Sequence, residues 1–170
     1  SNGGPISLLV DDEALSNGSN SGSTAEVDSD TINFTAGSDG LTIAFGNSVA
    51  NLGGGLTWTR VNDTTIEGRD GGNLIVTLSL TGTLNVAANG SSNVTVTATL
   101  ADNYDSHPTF TADDLQQLGF VQVVGTDHDG DSTSAQVNVA VSDDVPTNNL
   151  AGDTSVVEGA TATGTWTQTV

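Results

Sequence analysis

The chain has no cysteine, no methionine and no lysine, and aromatic residues make up only 4% of its 170 residues. Without cysteine, disulfide stapling and thiol chemistry drop out together. The shortage of aromatics and methionine predicts a thin core, in which any stability added by a bound metal would matter. Two arginines face 21 acidic residues, a formal charge of -19. Nucleic acid and anionic membrane surfaces both need a basic patch, so neither is an expected partner. No run approaches the roughly 18 apolar residues of a membrane span, so no membrane insertion is expected. The opening residues carry no charged-then-apolar export signal; if the protein is secreted, that signal lies outside this sequence.

What the chain does have is acid in pattern. Asp127, Asp129 and Asp131 sit on alternate positions of Thr126–Ser132, with Gly130 between the last two. Carboxylates held about 4 Å apart repel by about 1 kcal/mol per pair in water and about 4 at an effective dielectric near 20. A hard cation would hold them together, since calcium takes oxygen from Asp, Glu, Asn and backbone carbonyls, and Gly130 would let its backbone turn inward. The bland alternative is a solvated acidic turn between two strands. An EF-hand is excluded, because counting from Asp127 puts Ser132 and Asn138 where Gly and Glu belong. Tandem Gly-rich nonapeptides are absent too. Any site must then draw on several loops, and Asp11-Asp12-Glu13 and Asp143-Asp144 are the other acidic clusters. So acidic a chain suits millimolar divalent cations, an extracellular setting, and Ca2+ as its cofactor.

Acidity with few aromatics also fits disorder. Against that, apolar residues alternate over long runs. Leu74, Val76, Leu78 and Leu80 share one face; Val94, Val96, Ala98 and Leu100 repeat the pattern, as do Ala135, Val137, Val139 and Val141. Further strands are predicted at Thr31–Thr35, Leu41–Gly46 and Leu56–Val61, the last around a half-buried Trp58. One short helix is predicted at Thr111–Gly119, with Thr111 as cap, Asp114 completing a capping box, Leu115 and Leu118 as stripe and Gly119 as stop. Eight or nine short strands between turn signals read as an all-β, antiparallel β-sandwich with calcium-binding loops. Residues 1–30 are read as linker carrying a short strand at Ile6–Val10 and the acidic group at 11–13, residues 31–145 as the sandwich, and 146–170 as linker plus a terminal strand.

Asp11-Asp12 recurs as Asp143-Asp144, 132 residues later, and the same offset places Phe34 on Trp166 and Thr35 on Thr167. Read as a repeat rather than chance, it makes residues 163–170 the opening strand of a next unit, equivalent to 31–35.

Val10-Asp11-Asp12-Glu13, Phe34–Leu41, Thr126–Ser132 and Val141–Pro146 together resemble a repeat domain of the large type I-secreted RTX adhesins of Gram-negative bacteria. The resemblance covers about residues 8 to 147. The middle agrees only in character, and Asp105-Ser106-His107-Pro108 lacks the acid and glycine that usually follow in that family. The resemblance implies a calcium-stabilised β-sandwich on the bacterial surface, with neighbouring adhesin domains as partners. Some domains of that family are spacers, and others grip a peptide C-terminus or another ligand through a bound calcium.

Catalysis finds little support: His107 and His128 stand without a nucleophile elbow, a cysteine or a zinc motif, and His128 is expected to face solvent. Two non-enzymatic readings remain for a monomeric module. In the binding reading, the insert from Ala101 to Gly119 holds a peptide C-terminus or glycan, with Asp102, Asn103, Tyr104 and Asp105 as contacts and Asp105 also a metal ligand. Loops of that length are usually functional or disordered. In the spacer reading, calcium at Asp11, Asp12, Glu13, Asp143 and Asp144 stiffens the junctions.

Overall fold

Valine, isoleucine and threonine are stiff at χ1 and pack well on a pleated surface, and their alternation along this chain produces strands almost everywhere. The computed structural model describes residues 4–104 and 115–143, and the backbone of residues 147–152 and 164–169. In order, the strands are β1 (Ile6–Asp11), β2 (Val27–Thr35), β3 (Leu41–Phe45), β4 (Thr57–Asn62), β5 (Thr65–Asp70), β6 (Asn73–Gly82), β7 (Asn85–Val86), β8 (Ser91–Leu100), β9 (Leu115–Asp127), β10 (Ser132–Ser142), β11 (Thr147–Gly152) and β12 (Gly164–Thr169). They form two five-stranded sheets, β1-β10-β9-β3-β7 and β2-β8-β6-β5-β4, and a separate pair, β11-β12. The protein is an all-β sandwich.

The core lies between the five-stranded sheets and is aliphatic, with Phe34 and Phe45 its largest fully buried side chains. Val94, Val96, Val137 and Val139 are completely buried. Trp58 packs half-buried at the core margin, its Nε1 donating to the Gly53 carbonyl at 2.9 Å. Its ring lies on Gly68, where a Cβ would come within 2.9 Å of it.

Four expectations need correction. The sandwich is not wholly antiparallel: β1 runs parallel to β10, from Ile6 beside Val137 to Asp11 beside Ser142. The helix at Thr111–Gly119 is overturned from residue 115 onward, since Leu115–Gly119 open β9; residues 111–114 lie outside those described. Gly119 reads like a helix stop because it needs positive φ, +104° here. It needs it for a different reason, the close approach of the Asn51 carbonyl at a bulge in the β9–β10 pairing. A second register shift, between Gly68 and Arg69, leaves Leu74 half-buried and turns Ile75 inward. Finally, Thr147–Asn149, read as linker, begins β11, which pairs with β12.

Residues 1–30 carry more than a connection. Leu8 and Val10 belong to the core, and β1 is stitched to β2 and the turn before it by Leu9 N–H donating to Asp28 Oδ2 at 2.8 Å and Asp11 N–H donating to the Ala25 carbonyl at 3.0 Å.

Candidate functional site

Because β1 and β10 run the same way, the chain comes into the sandwich at one end and leaves it at the other. The acidic residues follow that division. At the entering end, β9 and β10 are joined by the turn holding Asp127, Asp129 and Asp131. At the leaving end, Asp11 lies beside Ser142, so that Asp12 and Asp143 continue from neighbouring strand ends. The eleven residues of β10, at about 3.4 Å each, separate the two ends by roughly 35 Å, too far for one ion to serve both.

The leaving end is built from four stretches of chain. A single 3-10 turn, Asp12–Ala14, is capped by Asp11, whose Oδ1 accepts the Glu13 N–H at 3.1 Å. The loop that follows folds back on it: Asn20 N–H donates to the Glu13 carbonyl at 2.9 Å and its Nδ2 to Glu13 Oε1 at 3.1 Å. Gly18 sits so close under the Asp12 and Glu13 carbonyls that no Cβ would fit. Asp12 is only 5% exposed. Glu26, one residue ahead of β2, accepts the Leu100 N–H on its backbone carbonyl, while its side-chain Oε2 is buried and accepts no hydrogen bond. A buried carboxylate oxygen without a donor is costly. Glu26 was not among the sequence candidates; an isolated acid before a strand carries no spacing signal.

The entering end closes upon itself. Asp127 Oδ1 accepts the N–H groups of Asp129 and Asp131 at 3.1 and 2.9 Å. Asp127 N–H donates to the Asp131 carbonyl at 2.9 Å, and Gly130, at φ +90°, permits the reversal. His128, Asp129 and Asp131 are exposed. Among the described residues, no group of three or more Asp, Glu or His side chains comes together in a metal-holding arrangement at either end. Of the two ends, the leaving one keeps acidic oxygens from solvent: Asp12 is buried, and so is Oε2 of the half-exposed Glu26.

The ligand-contact residues divide as well. Asp102 and Asn103 are exposed beyond β8, with Asn103 N–H on Asp102 Oδ1 at 3.0 Å. Tyr104 is 5% exposed and part of the core, so it is not displayed to a ligand. Asp105 and Asp144 lie outside the described residues. On the outer face of the β1-β10-β9 sheet, Leu9 and Leu115, about half exposed, flank Ala140 around a groove of about 220 Å³.

Comparison of the chain with protein-family models, with curated proteins and with solved structures finds no match.

Proposed function

We propose that the chain is a calcium-dependent, non-enzymatic module of an extracellular bacterial adhesin, linked in series with like modules as a stiff spacer. The observation that carries this reading is the parallel β1–β10 pair: it sends the chain through the sandwich from one end to the other, as a link in a string requires. In such a string the acidic leaving end of one module faces the acidic entering end of the next. Unneutralised, those ends repel; with calcium between them they hold the junction. At the leaving end Glu26, Asp11, Asp12 and Asp143 would take the ion, with Glu13 beside them. At the entering end Asp127, Asp129 and Asp131 would meet it from the other side. Calcium supplies charge neutralisation and oxygen coordination there.

The test is thermal melting in calcium, in magnesium and in EGTA. A cation bound only by the native state stabilises by RT ln(1 + [Ca]/Kd), about 4.1 kcal/mol at a thousandfold excess over Kd, or on the order of ten degrees in Tm for a domain of this size. An unchanged Tm in calcium would remove the cofactor from the reading.

A ligand-binding role, for a peptide C-terminus or a glycan, is favoured by one feature: buried Tyr104 fixes exposed Asp102 and Asn103 at the leaving end. A glycan and C-terminal-peptide array probed in calcium and again in EGTA separates the two roles. A calcium-dependent hit weakened by Asn103→Ala, at unchanged Tm, makes the module a binder; no hit beside an intact calcium shift leaves it a spacer.

A further inference from the structure

We infer that β1 and β10 form a shear clamp, which lets the sandwich bear tension applied along the chain. The inference rests on the serial reading above only in supposing that the molecule is pulled from its two ends.

The geometry is set by direction. Tension from the N-terminal side reaches the sandwich at Ile6, at the entering end, and draws β1 outward along its own axis. Tension from the C-terminal side reaches it at Ser142, at the leaving end, and draws β10 the opposite way. The strands are register partners over six residues, from Ile6–Val137 to Asp11–Ser142. Forces opposed along the axes of two paired strands load their hydrogen bonds together, so none yields until several do. Had β10 been antiparallel to β1, the chain would leave where it came in, and the same pull would open the pair one bond at a time.

Two more features hold the clamp. Leu9 and Asp11 point their N–H groups away from β10, to Asp28 Oδ2 and the Ala25 carbonyl, so β1 is tied to both sheets. Alternation along the strand then turns the N–H groups of Leu8 and Val10 toward β10. Both side chains are buried, at 1% and 0% exposure, so sliding β1 would also strip apolar surface from the core.

The absence of cysteine makes the experiment direct, because introduced thiols are the only handles. One variant carries Ser1→Cys and Val170→Cys and is pulled in the shear direction. The other carries Ser1→Cys and His128→Cys; His128 is exposed at the entering end, so this pull peels β1 from β10. Single-molecule force spectroscopy should give a severalfold higher rupture force for the first variant, in calcium and in EGTA alike, since the clamp is made of backbone hydrogen bonds and buried side chains. The β11–β12 pair, marginal by itself, opens earlier and is counted apart by its extension. Equal forces in the two directions would overturn the clamp, and so would a difference seen only in calcium. The outcome is separable from the calcium reading: directional strength without a calcium shift in Tm sinks that reading and keeps the clamp, and a calcium shift without directional strength does the reverse.

Discussion

The two ends of the sandwich carry similar residues under different constraints. At the entering end three aspartates lie within five residues, and the turn they occupy satisfies itself: Asp127 accepts the amides of Asp129 and Asp131, whose side chains face water. At the leaving end the acids come from residues 11–13, 26 and 143; the parallel β1–β10 pair sets Asp11 beside Ser142, and Asp12 and the Glu26 Oε2 atom are shut away from solvent. The cluster that is dense in sequence is the one that water can tolerate. The acids scattered through sequence include the buried ones, and the Glu26 Oε2 atom among them accepts no hydrogen bond; the cost of a carboxylate follows its burial and not its spacing.

The comparison depends on β10, which joins the ends, so the largest effect is expected there. Val137 is fully buried at the point where β1, β9 and β10 meet. Val137→Asp places an unpaired charge in the core at a cost of about 3–5 kcal/mol, enough to unfold a domain of ordinary stability. Val96→Asp does the same in the opposite sheet. A melting curve like that of the parent, for either variant, would overturn the burial of these strands.

Glu26 gives the next effect, and its sign is diagnostic. In EGTA, Glu26→Gln relieves a carboxylate whose Oε2 is buried and accepts no hydrogen bond, so Tm should rise slightly. In calcium the same change should abolish most of the expected ten-degree gain. Asp129→Asn, at the exposed turn, should leave most of that gain in place. If Asp129→Asn removes the gain while Glu26→Gln does not, the ranking of the two ends is inverted.

Much of the fold was legible because period two is a direct record of one face meeting a core. The runs at Leu78–Leu80, Val94–Leu100 and Ala135–Val141 came out as read. What was not legible was long-range: the sequence of β1 does not say that its neighbour is β10, nor in which direction, and that pairing assembles the leaving end. Bulges were hidden for the same reason. Gly119 and Leu74 were misread because an extra residue in one strand is set by its partner and by the Asn51 approach, neither of which leaves a local mark. Tyr104, expected among the ligand contacts, is 5% exposed and packed in the core; in a stretch without alternation no period marks such a residue as buried.

The smallest effect lies within the acidic turn and separates a structural carboxylate from a metal ligand. Asp127 Oδ1 accepts two backbone amides, and asparagine at that position keeps a side-chain oxygen able to accept both. Asp127→Asn should therefore leave the EGTA Tm within a degree or two of the parent, while Asp127→Ala strands both amides and should cost about 1–2 kcal/mol, or several degrees. Asp131→Asn, whose side chain is exposed, should cost less than about 0.5 kcal/mol. Calcium then decides what else the turn does. If it is only a turn, the three variants keep this order, with the same spacing, in calcium and in EGTA. If it holds an ion at a junction, Asp127→Asn and Asp131→Asn both fall behind in calcium only, and by more in a two-module tandem than in the single module, because only the tandem brings a leaving end against it.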